Sequence, residues 1–269
     1  MKRQPTFYLT HGGGPCFWIE FPEPFGPGAY EGLRRYLAGL LRTLPEMPRA
    51  VLIVSAHWEE SVVTVSTAES PPMLYDYYGF PPHTYQLKYP ARGAPDIARR
   101  AESLLQQASI ATREDDRRGF DHGVFVPMLV IDREASLPVV MVSMRGDLDP
   151  AFHLAMGAAL RPLRDEGLLL IGSGSSFHNM RTIFDGADEG STAFDAWLNE
   201  TVTATDADTR STRLIHWDQA PAARASHPRP DHLIPLMVAA GAAGRDSGSR
   251  PFHDTIGGKA YSCFRFDSP

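Results

Sequence analysis

Phe7-Tyr8-Leu9-Thr10-His11 and Val51-Leu52-Ile53-Val54-Ser55-Ala56-His57 share one plan with Leu168-Leu169-Leu170-Ile171, which continues through Gly172-Ser173-Gly174-Ser175-Ser176 to Phe177-His178. Each stretch runs apolar, then small, and ends on a histidine. Short apolar runs bounded by glycine and serine fit strands of a parallel sheet buried on both faces. In open α/β sheets, ligands bind beyond the carboxyl ends of the strands. Histidines arriving there from three distant parts of the chain can meet at one point, which is how a metal site is assembled. The pattern predicts a metalloenzyme.

Outward from these stretches, the chain alternates strand and helix. Residues 6–10, 50–55, 138–143 and 168–171 read as strands, as do the β-branched run 61–66 and the final run Tyr261 to Phe266. Apolar positions at helical spacing (Tyr30, Leu33, Leu37, Leu40, Leu41, Leu44) predict a helix over 29–44, ended by Pro45 and Pro48. Further helices are predicted over 95–108, 150–166, 193–206 and 231–242. Between 70 and 94 lies a long irregular segment rich in proline and tyrosine, and loops of that length in compact domains are usually functional or disordered. Its aromatic content favours function. With no repeat and no linker, the expectation is one α/β domain over 1–269: a central, mostly parallel mixed sheet flanked by helices.

Composition narrows the function. The 269 residues are 43% hydrophobic and 22% charged, as in ordinary soluble proteins. A net charge of -6 argues against nucleic acid as a partner. Apolar runs fall well short of the roughly 18 residues that suggest a membrane span. Met1-Lys2-Arg3 is basic but leads straight into a strand-like run, with no signal-peptide core behind it. Two cysteines, Cys16 and Cys263, cannot make a disulfide framework, so a reduced, cytoplasmic protein is expected. The 23 prolines and 23 glycines are spread along the chain, as well-defined loops on a rigid scaffold would use them.

Ten histidines are available, and most call for an ordinary explanation first. His153 falls inside a predicted helix and His216 and His253 in polar loops, so these three read as structural. His83 in the aromatic segment and His227 ahead of Asp231 are weaker candidates for lining a site. His11, His57 and His178 each follow a strand and read as functional. His122 stands in Phe120-Asp121-His122-Gly123, where Asp121 could either orient it or cap a helix. His232 opens a helix in Pro230-Asp231-His232-Leu233, with Asp231 as a natural cap. His11-Gly12-Gly13-Gly14 is similar to an esterase oxyanion-hole motif, but the Gly-x-Ser-x-Gly elbow that such an enzyme needs is missing from the chain.

Five segments in order resemble the class III extradiol ring-cleaving dioxygenases, specifically the 4,5-DOPA dioxygenase type. They are Leu9-Thr10-His11-Gly12, Val54-Ser55-Ala56-His57-Trp58, Gly119-Phe120-Asp121-His122-Gly123, Ser176-Phe177-His178-Asn179 and Asp231-His232-Leu233-Ile234-Pro235-Leu236. Gly79-Phe80-Pro81 and Tyr89-Pro90-Ala91 match the same group. The resemblance implies His11, His57 and His232 as metal ligands, His178 as the base that deprotonates a catechol, and His122 as a second active-site histidine on the oxygen side. The protocatechuate branch places a carboxylate at the third ligand. Here that place reads Asp231-His232, so either side chain is a candidate; the DOPA-type branch favours the histidine.

The implied working metal is Fe(II), and the implied partners are a DOPA-like catechol and O2, with a muconate semialdehyde as product. Zn(II) would bind these histidines more tightly but cannot cycle electrons, and His178 could then serve as a fourth ligand. Tyrosines of the 75–89 segment are candidate walls of the substrate pocket. Arg92, Arg145 and Arg181 are candidate partners for a substrate carboxylate. Two alternatives stand beside this reading: a zinc-dependent hydrolase on the same scaffold, and a non-catalytic member of the superfamily that uses the cleft for binding.

Overall fold

Every residue of the first strand, β1 (Thr6–Thr10), is buried, as a strand covered on both faces requires. In the computed structural model, which describes residues 2–267, β1 is joined by β2 (Ala50–Ser55), β3 (Val139–Met141) and β4 (Leu168–Gly174). These four are parallel and ordered β3-β2-β4-β1. A hairpin, β5 (Ser247–Ile256) and β6 (Lys259–Asp267), adds antiparallel strands beyond β1 and completes a sheet of six. Met1, Ser268 and Pro269, the ends of the domain expected over 1–269, lie outside the described residues. The fold is the single α/β domain with a mixed, mostly parallel sheet that the sequence predicts.

Alternation along the strands sends neighbouring side chains to opposite layers. Tyr8, Leu52, Val54 and Leu170 face one core, with α2 (Pro95–Gln107), α4 (Pro150–Leu160), α5 (Glu189–Val202) and α7 (Ile234–Ala243). Phe7, Leu9, Val51 and Ile171 face the other, with α1 (Glu31–Gly39) and α3 (His122–Ile131). One more helix, α6 (Ala207–Ile215), contributes Leu214 to the first core.

Several elements differ from their sequence reading, each for a local reason. The helix expected over 29–44 is α-helical only to Gly39 and tightens into a 3-10 turn over Leu40–Thr43 before Pro45. The one expected over 150–166 is interrupted at Arg161, because Pro162 cannot donate to a preceding carbonyl and begins a new turn, Pro162–Asp165. The run expected at 61–66 does form a strand, Val63–Ser66, but it pairs with Thr112–Asp115 outside the main sheet. Helix α5 starts at Glu189, earlier than expected, because Asp188 accepts from the Gly190 and Ser191 N–H groups as its cap. Strand β5 is a further element; its polar alternation and Pro251 suit a sheet edge. Among the described residues no helix is long and apolar enough to cross a membrane.

Small residues decide how closely α7 lies on the sheet. A Cβ at Gly172 would collide with the Pro235 carbonyl, and one at Gly174 with the His232 carbonyl. The Gly-Ser run after β4's apolar core therefore lets the start of α7 sit directly on the strand. Tyr8 Oη then donates to the His232 carbonyl at 2.8 Å, and the same carbonyl accepts from the Ser175 N–H at 3.1 Å, locking that segment. Gly172→Ala is expected to cost about 1–3 kcal/mol by overpacking, read as a lower urea midpoint with an unchanged denaturant slope.

Candidate metal centre

The elements that end at the carboxyl edge of the parallel strands deliver five imidazoles to one place. His11 follows β1, His57 lies two residues beyond β2, and His178 lies four beyond β4. His122 opens α3, and His232 sits just ahead of α7. Ring centroids of His11 lie 5.0 Å from His57 and 5.3 Å from both His122 and His232. His57 and His122 are 3.9 Å apart, and His178 stacks on His232 at 3.4 Å. The structure thus gathers all five histidines singled out by the sequence.

Hydrogen bonds set the tautomers. Ser173 Oγ donates to the Gly123 carbonyl, so it accepts from His11 Nδ1 at 3.1 Å. His232 Nδ1 donates to the Asp231 carboxylate at 2.8 Å, and His122 Nδ1 to the Asp76 carboxylate at 2.8 Å. His57 Nδ1 lies 3.5 Å from the other oxygen of Asp76. With Nδ1 committed in this way, the Nε2 lone pairs are free to meet. His11 Nε2 and His57 Nε2 lie 3.2 Å apart, a spacing that suits two donors about 2.0–2.1 Å from one shared cation.

Three groupings bring donor atoms within 4.8 Å of one another: His11 with His57 and His232; His57 with Asp76 and His122; and His178 with Asp231 and His232. The first is made of imidazoles alone, with its one internal contact between His11 Nε2 and His57 Nε2. In the other two a carboxylate already accepts from a ring N–H, which is the usual outer support of a metal-binding histidine. Three neutral imidazoles with open positions around them fit a divalent first-row metal.

Burial keeps these rings neutral. His11 and His232 are held well below the usual histidine range by burial and then by neighbouring imidazoles. Burial likewise lowers His57 to about 3, and it lowers His178 against the opposing charge of Asp231. Asp76 behaves oppositely: burial disfavours its charge, but the His122 hydrogen bond outweighs that and holds it at about 2.

A cavity of about 410 Å³ opens at the cluster, lined by all five histidines and by Asp76, Tyr77, Tyr78 and Phe80 of the aromatic segment. Asp76 is the functional residue that sequence reasoning missed. Asp121, open in the sequence to orienting His122 or to capping a helix, does neither: it accepts from Ser55 Oγ at 2.7 Å, pairs with Arg118 at 3.1 Å, and stands at the start of α3 without a side-chain cap bond. A lone acid within a loop carries no periodic or motif signal, so Asp76 was not legible. His83 and His227 do not line the cavity. His83 donates to the Trp18 carbonyl at 2.9 Å, and His227 is buried, donating to the Ser176 carbonyl at 2.9 Å. Arg92, Arg145 and Arg181 are not among the lining residues either. His153 is structural as expected, with Nε2 accepting from the Arg145 N–H and Nδ1 donating to the Asp149 carbonyl.

A family model, the catalytic LigB subunit of aromatic ring-opening dioxygenase, matches residues 26–261. The chain belongs to this family. It is an enzyme of the extradiol class, as the five motifs imply. It is 34% identical to a 4,5-DOPA dioxygenase extradiol of Beta vulgaris, over 98% of this chain and 96% of that one. It is 36% identical to dioxygenase tasH of Hapsidospora irregularis, over 94% and 82% of the two chains. A 4,5-DOPA dioxygenase extradiol of Escherichia coli is 34% identical over 89% and 85%. The crystal structure of an uncharacterized protein, JW3007, from Escherichia coli K12 superposes on this dioxygenase with a TM-score of 0.79 at 29% identity, covering 98% of this chain and 100% of that one.

The histidine shifts carry a consequence for stability. His57 at about 3 and His227 at about 4 bind fewer protons when folded than in the unfolded chain, where histidine titrates near 6.5. Unfolding at low pH therefore takes up protons, so acid favours the unfolded state. The metal-free protein is expected to hold full stability above about pH 6.5 and to lose it progressively toward pH 4. Denaturant midpoints measured across that range check this, with a shallower dependence in His227→Gln.

Proposed function

We propose that this enzyme is a non-haem Fe(II)-dependent extradiol dioxygenase that inserts O2 into a catecholic, DOPA-like ring and releases a muconate semialdehyde. The observation that carries the reading is the convergence of His11, His57 and His232, whose Nδ1 atoms face Ser173, Asp76 and Asp231, beside two further histidines in one cavity. His11, His57 and His232 are the proposed ligands. In this reading Asp231 supports the third ligand, its Oδ2 accepting from His232 Nδ1 and so leaving His232 Nε2 for the metal. Fe(II) held there would supply the electron transfer that lets a triplet oxidant react with a closed-shell ring.

The chain's own residues handle the protons. A free catechol hydroxyl has a pKa of about 10, so a base is needed near neutral pH. His178 lines the cavity and burial keeps it neutral, so its ring can take that proton. Asp231 Oδ2, 3.9 Å from His178 Nδ1, would offset the resulting positive charge. Once protonated, His178 can return the proton as the ring opens. His122, fixed through Nδ1 and its backbone N–H by Asp76, would present its other nitrogen to the oxygen side. The proposed setting is the reducing cytoplasm, supported by the two buried free thiols, Cys16 and Cys263.

A zinc-dependent hydrolase is the second reading, because three imidazoles and an open position suit Zn(II) as well. Oxygen uptake separates the two. Anaerobically Fe(II)-loaded protein offered a catechol panel including DOPA is expected to consume O2 and form a yellow product, while zinc-loaded protein and His178→Ala do not. Absence of uptake at confirmed full iron occupancy, with hydrolysis by the zinc form, would replace the dioxygenase reading. Asp76→Asn removes the charge shared by His57 and His122. Metal affinity is expected to fall about 10–100-fold, measured by competition with a chromophoric chelator.

A further inference from the structure

The cavity has a charge pattern that catechol cleavage alone does not require. Among the described residues, no arginine or lysine lines it. Arg145 pairs with Asp147 at 2.6 Å and lies over the Phe152 ring, while Arg92 and Arg181 are exposed. The ionised group that does line the cavity is Asp76, which is negative. A substrate carboxylate entering this space would lose water and find no cation, which is unfavourable without a partner.

The walls offer apolar contact instead. Phe21 packs on Phe25 with ring centroids 5.3 Å apart, and Phe25 on Phe184 at 5.4 Å, giving one side of the cavity. Phe80, 5.4 Å from Tyr77, gives another. The mouth continues the pattern. Tyr78, Met180 and Phe184 are 92%, 61% and 56% exposed, and among the described residues Met47 is the one other large apolar side chain so exposed. Surface apolar side chains scattered singly need no explanation, but three gathered at one cavity entrance mark an apolar ligand's route.

We propose that the substrate is a catechol whose ring substituent is uncharged and apolar. The hydroxyls face the histidines, and the substituent lies against Phe21, Phe25, Phe80, Met180 and Phe184. This inference rests on the catechol-cleaving reading and narrows it: a zwitterionic amino-acid side chain such as that of DOPA is a poor fit to these walls. Recognition of the ring belongs to the histidine cluster, and discrimination belongs to the aromatic walls and the rim.

The test compares 4-ethyl-, 4-propyl- and 4-butylcatechol with DOPA and 3-(3,4-dihydroxyphenyl)propanoate. Turnover is read as O2 uptake by the Fe(II)-loaded enzyme, and binding by anaerobic titration calorimetry of the zinc-loaded protein. The expected result is a rise in kcat/KM of about two- to fourfold per added methylene, in line with the gain from burying each one. Butylcatechol should exceed DOPA and the propanoate by at least about tenfold, with the same order in Kd, because each of those must bury a charge. Phe184→Arg, or Met180→Arg on the rim if the first fails to fold, is expected to shift the ratio toward the propanoate. Equal or better handling of DOPA or the propanoate by the unaltered enzyme would overturn the inference while leaving catechol cleavage intact; loss of that preference in Arg181→Ala would then name Arg181 as the carboxylate's partner. Alkylcatechols that bind in the expected order but are never cleaved would support the inference about the cavity and overturn the dioxygenase reading.

Discussion

A buried imidazole can offer one nitrogen as a donor only if the proton on the other has a fixed acceptor, and that constraint organises the carboxyl end of this sheet. Ser173 serves His11, Asp231 serves His232, and Asp76 faces both His57 and His122. Each acceptor comes from a different element: β4, the turn before α7, and the aromatic segment. The His11, His57 and His232 rings are neutral because burial removes the water that would stabilise a proton. Neutrality and a committed Nδ1 together leave the Nε2 lone pairs aimed at a common point.

Packing further from the site serves the same end. The run from Gly172 to Gly174 lets the chain at His232 and Pro235 lie directly on β4, and Tyr8 holds the His232 carbonyl from below. Behind it, a Cβ at Gly157 would collide with the Val238 carbonyl, and one at Gly241 with the Leu154 carbonyl, so α4 and α7 meet at backbone distance. The turn after His11 needs Gly12 for its positive φ of 85° and because a Cβ there would strike Cys16 Sγ. The triple glycine that is similar to an oxyanion hole is thus a bend that returns the chain beside the cavity.

Much of the site was legible because its signals are local. A strand that ends in small residues and a histidine shows both its burial and its reactive end in a few positions, and three such stretches recur. The motifs at His122 and His232 lacked that strand signature and needed the family resemblance. Asp76 had neither, being a single acid in an irregular segment, so its partnership with two histidines emerged only in space. The three arginines were candidates by residue type alone, and the folded chain leaves them outside the cavity wall. The edge strand β5 escaped notice because its alternating exposed residues and Pro251 read as loop.

By itself, the sequence determined an α/β domain with a parallel core, a histidine-rich carboxyl edge and membership of a ring-opening dioxygenase family, because periodicity, burial and short motifs are written along the chain. Tertiary structure alone decided which carboxylate supports which ring, with Asp231 Oδ2 accepting from His232 Nδ1, and how apolar the cavity is. Those properties depend on distances between residues such as Asp76 and His122, or Phe25 and Phe184, that are far apart in sequence and meet only when the loops close over the sheet.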